Sequence, residues 1–304
     1  IVLDRLEGDN GRHAAVWNDG ANALLQVASF SPDLKDYPIF MSSTNDVNFT
    51  AIIFCSDSAT SHMLKLVATL STMRSCRAIV LLWVSQRTQP KLLKHRKPSA
   101  PPITIIDIPF GNRSELFVPR PEIVTTAVFT IDDRVHLNAD EIEFALQSWR
   151  WFPSRLVGYM GRSHVYRNER WSYSSQPLNH YSLILPDAAL FHRYYLSLYP
   201  LWLSPVAAEE AARTPECHDL LFNALLSEYT SRPPILLGNR PFPTALKANS
   251  SSVRAGCFER LLTTSWHGEP PFLKSRARLD PVLFLDNVSN FRKKFRQMEA
   301  SGGA

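Results

Sequence analysis

Glycine is scarce in this chain, with 11 residues among 304, whereas proline reaches 22. Glycine-rich loops that let a backbone approach a phosphate have little material to draw on. Neither G-x-G-x-x-G nor G-x-x-x-x-G-K-[ST] occurs, which excludes the dinucleotide fingerprint and the P-loop. The longest apolar run, around residues 78–84, is far short of the roughly 20 residues a membrane helix needs, so no segment of the chain is expected to span a bilayer. The four cysteines, Cys55, Cys76, Cys217 and Cys257, show no C-x-x-C spacing, which disfavours a zinc site. Internal repeats are also lacking. At 45% hydrophobic and 20% charged residues the composition is that of a folded globular chain, not a disordered one. The length fits two domains, or one α/β domain of roughly 250 residues with an arm.

Net charge is +5, and 24 of the 33 basic residues are arginine, the side chain suited to bidentate contact with carboxylate, sulfate or phosphate. The densest basic run, residues 91–97 (K-L-L-K-H-R-K), precedes a proline-rich loop and reads as solvated surface. No nucleic-acid-binding signature accompanies it, so no nucleic-acid partner is expected. Four N-x-[ST] sequons start at Asn48, Asn112, Asn249 and Asn287, and lean toward the secretory pathway. The chain opens Ile1-Val2-Leu3-Asp4, without Met or a signal pattern, and is expected to be a piece of something longer, any membrane anchor lying upstream.

Residues 1–48 lack sustained periodicity and read as an arm or linker, leaving 49–304 as the folded domain. Residues 49–55 (F-T-A-I-I-F-C) form a short apolar, β-rich run, followed by Ser-Asp-Ser and then Met63, Leu64, Leu66 and Leu70 at helical spacing. Further strands are expected at 78–84, 103–108 and 126–131, the last running straight into Asp132-Asp133. Strands alternating with helices imply a mainly parallel, doubly wound sheet. Asn138 with Glu141 predicts a capped helix start, and Ile142, Ala145, Leu146 and Trp149 share one face of that helix. Another strand is expected at 156–160. Residues 191–230 read as mostly helical, broken at Pro200, Pro205 and Pro215, and residues 249–252 as a polar loop.

The candidate chemistry begins at Asp132-Asp133, because ligands of open α/β sheets bind beyond strand C-termini. An acidic D-x-D there would hold a divalent metal against a diphosphate leaving group. Here the third position is Arg134, and the pair also reads as a helix-start couple holding no metal. Asp219, in the cluster Glu216-Cys217-His218-Asp219 ahead of an apolar helix, reads either as a catalytic carboxylate or as a first-turn acid favoured by the helix dipole. Cys217 beside His218 lacks an orienting partner for a thiol nucleophile. The aromatics Trp149, Trp151, Phe152, Tyr159, Tyr166, Trp171 and Tyr173 suit sugar stacking, but the bulk of them is expected in the core.

Several strings together resemble one family, the C-terminal domain of the exostosins, glycosyltransferase family 64. They are T-A-V-F-T-I-D-D at 126–133, E-I-E-F at 141–144, Trp149 with Phe152-Pro153, Val157-Gly158-Tyr159, Arg162-Ser163-His164 and Trp171-Ser172-Tyr173. They continue in N-H-Y-S at 179–182, Cys217-His218-Asp219 with Asn223, R-L-D-P-V-L-F at 278–284 and Arg292-Lys293-Lys294. The last block and Val16-Trp17-Asn18 look most like the exostosin-1 branch. The resemblance implies a GT-A-type fold, a type II membrane parent in the Golgi or endoplasmic reticulum lumen, a heteromer with an exostosin-2-like paralogue, and a heparan sulfate chain as the polymer handled. Active members transfer N-acetylglucosamine from UDP. It also implies a Cys217–Cys257 disulfide worth about 3–4 kcal/mol by loop entropy, with Cys55 and Cys76 as small buried hydrophobes.

By the same resemblance, Asp219 would stand at the reacting centre, and Asp132, Asp133 and Arg134 at the donor diphosphate, with Asp133 on any metal. Arg162, Trp171, Tyr173, Asn179, His180, His218 and Asn223 would line the acceptor pocket. Departures from the family strings gather around that pocket. Val84 stands where a uracil-reading Asn is expected, S-x-R-F has become Ser114-Glu115-Leu116-Phe117 with loss of an arginine, and Thr-Asp reads Thr125-Thr126. D-x-D ends in Arg134, His180 and His218 replace acids, and T-G-A-A reads Pro186-Asp187-Ala188-Ala189. Exchanging a metal carboxylate for a cation about 4–6 Å away removes several kcal/mol of metal affinity. The expectation is therefore a lobe without a working nucleotide-sugar site and without a cofactor, serving assembly and chain handling. The alternative is a working UDP-N-acetylglucosamine transferase, using Mn2+ or letting Arg134 neutralise the diphosphate itself.

Overall fold

The computed structural model describes residues 48–55, 60–84, 100–109, 112–175, 180–238, 249–272 and 277–278. The arm expected over 1–48 lies outside the described residues apart from Asn48, as do the basic run 91–97, Asn179 and the segment after Arg278. Strand β1 (Phe49–Cys55) leads to helix α1 (Thr60–Thr72), then β2 (Cys76–Val84) and β3 (Ile103–Ile108). A 3-10 turn at Arg113–Phe117 precedes β4 (Ala127–Asp132) and helix α2 (Ala139–Trp151). Short strands follow: β5 (Val157–Gly158), β6 (Gly161–Arg167), β7 (Arg170–Ser174), β8 (His180–Tyr181), β9 (Leu183–Ile184) and β10 (Ala188–His192). The remainder is α3 (Tyr194–Trp202), α4 (Pro205–Arg213), α5 (Cys217–Thr230), β11 (Ile235–Leu236), α6 (Asn249–Thr264) and β12 (Ala277–Arg278).

Seven strands form one sheet in the order β11-β5-β10-β4-β1-β2-β3. The ladder from β4 through β1 and β2 to β3 is parallel, and β10 is antiparallel to both of its neighbours. This is the mainly parallel α/β architecture of the sequence reading, and the alternation of side chains along each strand explains why both faces must be covered. Phe49, Ala51, Ile53, Ile79, Leu81, Phe129 and Ile131 pack on one face against Met63, Leu66 and Leu70 of α1 and Ile142, Leu146 and Trp149 of α2. Ile52, Phe54, Val80, Leu82 and Val128 pack on the other, against Leu116 and Phe117, α5 and α6. Truncating a buried anchor such as Phe129 to alanine is a loss of about 3–5 kcal/mol. Gly158 is required by close approach: a Cβ there would lie 2.5 Å from the Ala188 carbonyl oxygen and 2.7 Å from Ile184 Cγ2.

The capping box read from Asn138 and Glu141 is present. Asn138 Oδ1 accepts from the Glu141 amide at 2.9 Å, and Glu141 Oε2 accepts from the Asn138 amide at 2.8 Å. No described helix is long and apolar enough to cross a membrane.

Four local expectations are corrected. Pro200 lies inside α3, in its last turn, where burial of Tyr195, Leu196 and Tyr199 holds the helix together; Pro205 starts α4, with Ser204 as its cap. The strand expected at 156–160 shrinks to Val157–Gly158. The polar stretch 249–252 is the first turn of α6, whose buried stripe comprises Arg254, Cys257, Phe258 and Leu261. An arginine in that stripe hides its periodicity. The aromatic set divides: Trp149 and Tyr159 are core, while Trp151, Phe152 and Tyr166 are exposed.

Candidate functional site

Strand polarity decides which residues meet. Strands β1 and β4 run in parallel, with Phe54 beside Asp132, so both end at the same edge of the sheet. Because β10 runs the other way, its first residue, Ala188, pairs with Ile131, and the turn holding Asp187 arrives at that edge too. The Asp132 amide donates to the Asp187 carbonyl at 2.9 Å, and the Asp133 amide to the Phe54 carbonyl at 3.1 Å, fixing both aspartates against the strand ends. The first turn of α5 brings Asp219, and the disulfide ties α5 to α6, which brings Arg254. That Cys217–Cys257 bond, with Cα atoms 5.7 Å apart, is the pairing the family strings implied. Cys55 and Cys76 are buried, as expected.

Of the four aspartates at this edge, Asp132, Asp187 and Asp219 are paired with three guanidiniums. Arg134 folds back on Asp132: its backbone amide and Nε donate to Oδ1 at 2.9 and 2.7 Å, and Nη2 donates to Oδ2 at 2.7 Å. Arg113 Nη2 donates to Asp187 Oδ1 at 2.8 Å and lies 3.4 Å from Asp219 Oδ1, while its Nη1 is 3.9 Å from Asp132 Oδ2. The Arg113 guanidinium sits 5.2 Å over the Phe54 ring. Arg254 Nε donates to Asp219 Oδ2 at 2.8 Å, its Nη2 reaches the same oxygen, and Nη2 is 3.6 Å from Asp187 Oδ2. Asp219 is wholly buried and Arg254 only 2% exposed. Arg134, 29% exposed, is the member that borders solvent.

Electrostatics follow this pairing. Burial by itself lowers the affinity of Arg113 for its proton, but Asp187, Asp219 and Asp132 more than reverse that, and its pKa ends above the ordinary arginine value. Arg254 is raised in the same way, burial opposed first by Asp219 and then by Asp187. For Asp187 burial raises the carboxyl pKa and Arg113 and Arg254 outweigh it, leaving it below the ordinary range. Arg134 is raised chiefly by its hydrogen bonds to Asp132. The cluster is therefore charged on both sides and internally compensated. A divalent cation at Asp132 would have to take oxygens that already carry Arg134 donors, with Arg113 nearby. Asp132, so held, does not fit a metal of the D-x-D kind.

Of the residues expected at the site, Asp132, Asp133, Arg134 and Asp219 are brought to one edge. Asp133 is buried beside Asp132, away from any helix start, since α2 begins only at Ala139. Tyr173, on β7, lies near Arg254, Arg162 and Asp219; burial is the main cause that raises its phenol pKa. Arg162 is buried, with Nη1 donating to the Gly161 carbonyl at 2.7 Å. Asn223 serves the frame: its Oδ1 accepts from the Ile184 amide, and its Nδ2 donates to the Ile184 and Asp219 carbonyls. His218 bonds the Tyr199 hydroxyl through Nδ1 at 2.7 Å and stacks on Phe117; burial pushes its pKa down to about 4. Trp171 packs against His164 and Tyr166, each ring 5.0 Å away. His180 pairs with Arg278 across β8 and β12, and Asn179 lies outside the described residues.

The sequence reading missed Arg113, Arg254 and, as a site residue, Asp187. Leu116, read as the loss of an arginine that could meet the donor, is core, while Arg113 of the same 3-10 turn points a guanidinium into the cluster. The signal for Asp187 lies in the family strings, where the small T-G-A-A reads Pro186-Asp187-Ala188-Ala189.

Comparison with known proteins is consistent along the chain. Residues 49–284 match the model of the Glycosyl transferase family 64 domain. The chain is 32% identical over 338 residues to Exostosin-1 of Drosophila melanogaster, covering 99% of this chain and 44% of that protein. It is 33% identical over 320 residues to Exostosin-1 of Pongo abelii, covering 98% and 42%, and 34% identical over 317 residues to Exostosin-like 1 of Mus musculus, covering 98% and 46%. The chain thus spans less than half the length of these relatives. With the sheet, the acidic strand edge and the disulfide all in place, the chain belongs to the exostosin-type glycosyl transferase family 64.

Proposed function

We propose that this domain is a family 64 lobe that no longer binds a nucleotide sugar. It serves in an exostosin-1-like subunit for heparan sulfate polymerisation, assembled with an exostosin-2-like paralogue in the Golgi or endoplasmic reticulum lumen. In that arrangement the polymerising chemistry of the parent resides in a domain upstream, and this lobe contributes assembly and contact with the anionic chain. One observation carries the reading: Asp132, Asp187 and Asp219, beside Asp133 at the strand ends, are each held by buried or half-buried guanidiniums. A UDP-sugar with its metal would have to displace those ion pairs, and breaking a buried pair costs about 3–5 kcal/mol. The replaced residues around the pocket, Arg134, His180 and His218, point the same way.

A second reading has one observation in its favour, the convergence of Arg113, Arg134 and Arg254, since guanidiniums stabilise a leaving diphosphate without a metal. In it, Asp219 stands at the reacting centre of a UDP-N-acetylglucosamine transferase. A transfer assay separates the two: the chain is incubated with labelled UDP-N-acetylglucosamine, Mn2+ and a glucuronic-acid-terminated heparosan oligosaccharide. No incorporation above blank is expected. Turnover abolished by Asp219→Asn would overturn the proposal. Retention on heparin resin that falls with salt is the expected result for the chain-handling role.

A further inference from the structure

The place of Asp187 in the cluster differs from that of its two companions. Asp132 ends a strand and Asp219 opens a helix, whereas Asp187 enters from the turn before β10, held by its own carbonyl to the Asp132 amide. Its carboxylate lies between two arginines from distant segments, Oδ1 taking Arg113 Nη2 at 2.8 Å and Oδ2 facing Arg254 Nη2 at 3.6 Å. A carboxylate spanning two guanidiniums at the carboxyl edge of a parallel sheet reproduces what a phosphate group offers there: two oxygens, negative charge and acceptors only.

We propose that Asp187 is a built-in anion, its side chain standing where a phosphate oxyanion would meet Arg113 and Arg254, so that this single residue closes the site to phosphate ligands. The inference rests on the reading that the site has lost its nucleotide sugar, and adds the residue that blocks it. The charges support it. Arg113, Arg134 and Arg254 pair with Asp132, Asp187 and Asp219; removing Asp187 leaves Arg113 with Asp219 at 3.4 Å and Asp132 at 3.9 Å, and Arg254 with Asp219. A small, doubly charged oxyanion satisfies two buried guanidiniums that have each lost one carboxylate better than water does. Arg134, partly exposed beside Asp132, marks the side from which it enters.

The test uses the full 304-residue chain as wild type and as Asp187→Ala, with inorganic pyrophosphate and orthophosphate as probes in calorimetry and thermal unfolding. Asp187→Ala is expected to bind pyrophosphate at least about tenfold more tightly than wild type, and to gain thermal midpoint on its addition. Adding Arg254→Met to Asp187→Ala is expected to abolish the gain. Equal binding by wild type and folded Asp187→Ala, or none by either, would overturn the inference. If Asp187→Ala does not fold alone, Asp187→Asn keeps the volume and removes the charge, and pyrophosphate is added during refolding of both. Failure of pyrophosphate to rescue or stabilise either variant beyond wild type would overturn it too. UDP binding by the wild type would sink the loss of the donor site and the block with it, whereas failure of Asp187→Ala to gain pyrophosphate binding sinks the block alone, so the two failures are distinguishable.

Discussion

Asp219 has no exposed surface and takes its strongest hydrogen bonds from Arg254. Replacing Arg254 with methionine keeps the stem that packs in the α6 stripe beside Cys257 and Phe258 while removing the charge. Asp219 then keeps only Arg113, at 3.4 Å, which is shared with Asp187 and Asp132. Removing one partner of a buried pair costs about 3–5 kcal/mol, because the desolvation of the other is no longer offset. At about 2–4 °C per kcal/mol for a domain of roughly 250 residues, the midpoint of thermal unfolding is expected to fall by about 6–20 °C. The loss is measured by urea titration and by circular dichroism melting, with Asp219→Asn and the double variant completing a cycle. The double variant is expected to be less destabilised than the sum of the singles by about 1–3 kcal/mol, the range for residues in direct contact. A loss below about 1 kcal/mol for Arg254→Met, the value of an exposed pair, would mean that solvent reaches Asp219, and would refute the internally compensated cluster.

Three further outcomes follow from other parts of the fold. The His218 pKa is lowered from 6.5 to about 4, so the unfolded chain takes up the proton first as pH falls. Its contribution is fully present above about pH 6.5 and is lost as pH falls from there toward 4, amounting to about 3 kcal/mol. His218→Gln is expected to flatten that part of the stability profile, and an unchanged slope would contradict the buried neutral imidazole. Asn138→Ala removes the cap of α2 and is expected to cost about 0.5–2 kcal/mol in urea unfolding, with no effect signifying a redundant cap. The bond between Cys217 and Cys257 closes a 40-residue separation, and Cys257→Ala is expected to lose about 3–4 kcal/mol relative to the oxidised chain. Equal stability of the variant and the oxidised wild type would show that the bridge constrains nothing.

What was legible in the sequence was local or carried by strings. The four parallel strands announce themselves as apolar runs because both faces of the sheet are covered, and Asn138 with Glu141 announces a helix because both capping partners lie within one turn. Asp132 and Asp133 were legible as a strand-end pair for the same reason. The partners of that pair were not. Arg113, Asp187, Asp219 and Arg254 come together only through strand polarity and the path of α5 and α6, and no spacing rule relates residues so far apart in the chain. Arg254 was further masked because a charged residue interrupts the apolar stripe that would have revealed α6. Pro200 reads as a break, whereas tertiary burial of Tyr195 and Tyr199 outweighs the missing hydrogen bond. Arg134 is one of the departures from the family strings, and the structure shows its physical content: in place of a second acid, it holds both oxygens of Asp132.

Calorimetric titration of the folded, purified chain with UDP and with UDP-N-acetylglucosamine, each with and without Mn2+, tests the loss of the donor site most directly. No heat of binding is expected at millimolar ligand. A dissociation constant below about 100 µM, a free energy near −5.5 kcal/mol, abolished by Asp133→Asn, would contradict it and make Arg134 part of a working donor site.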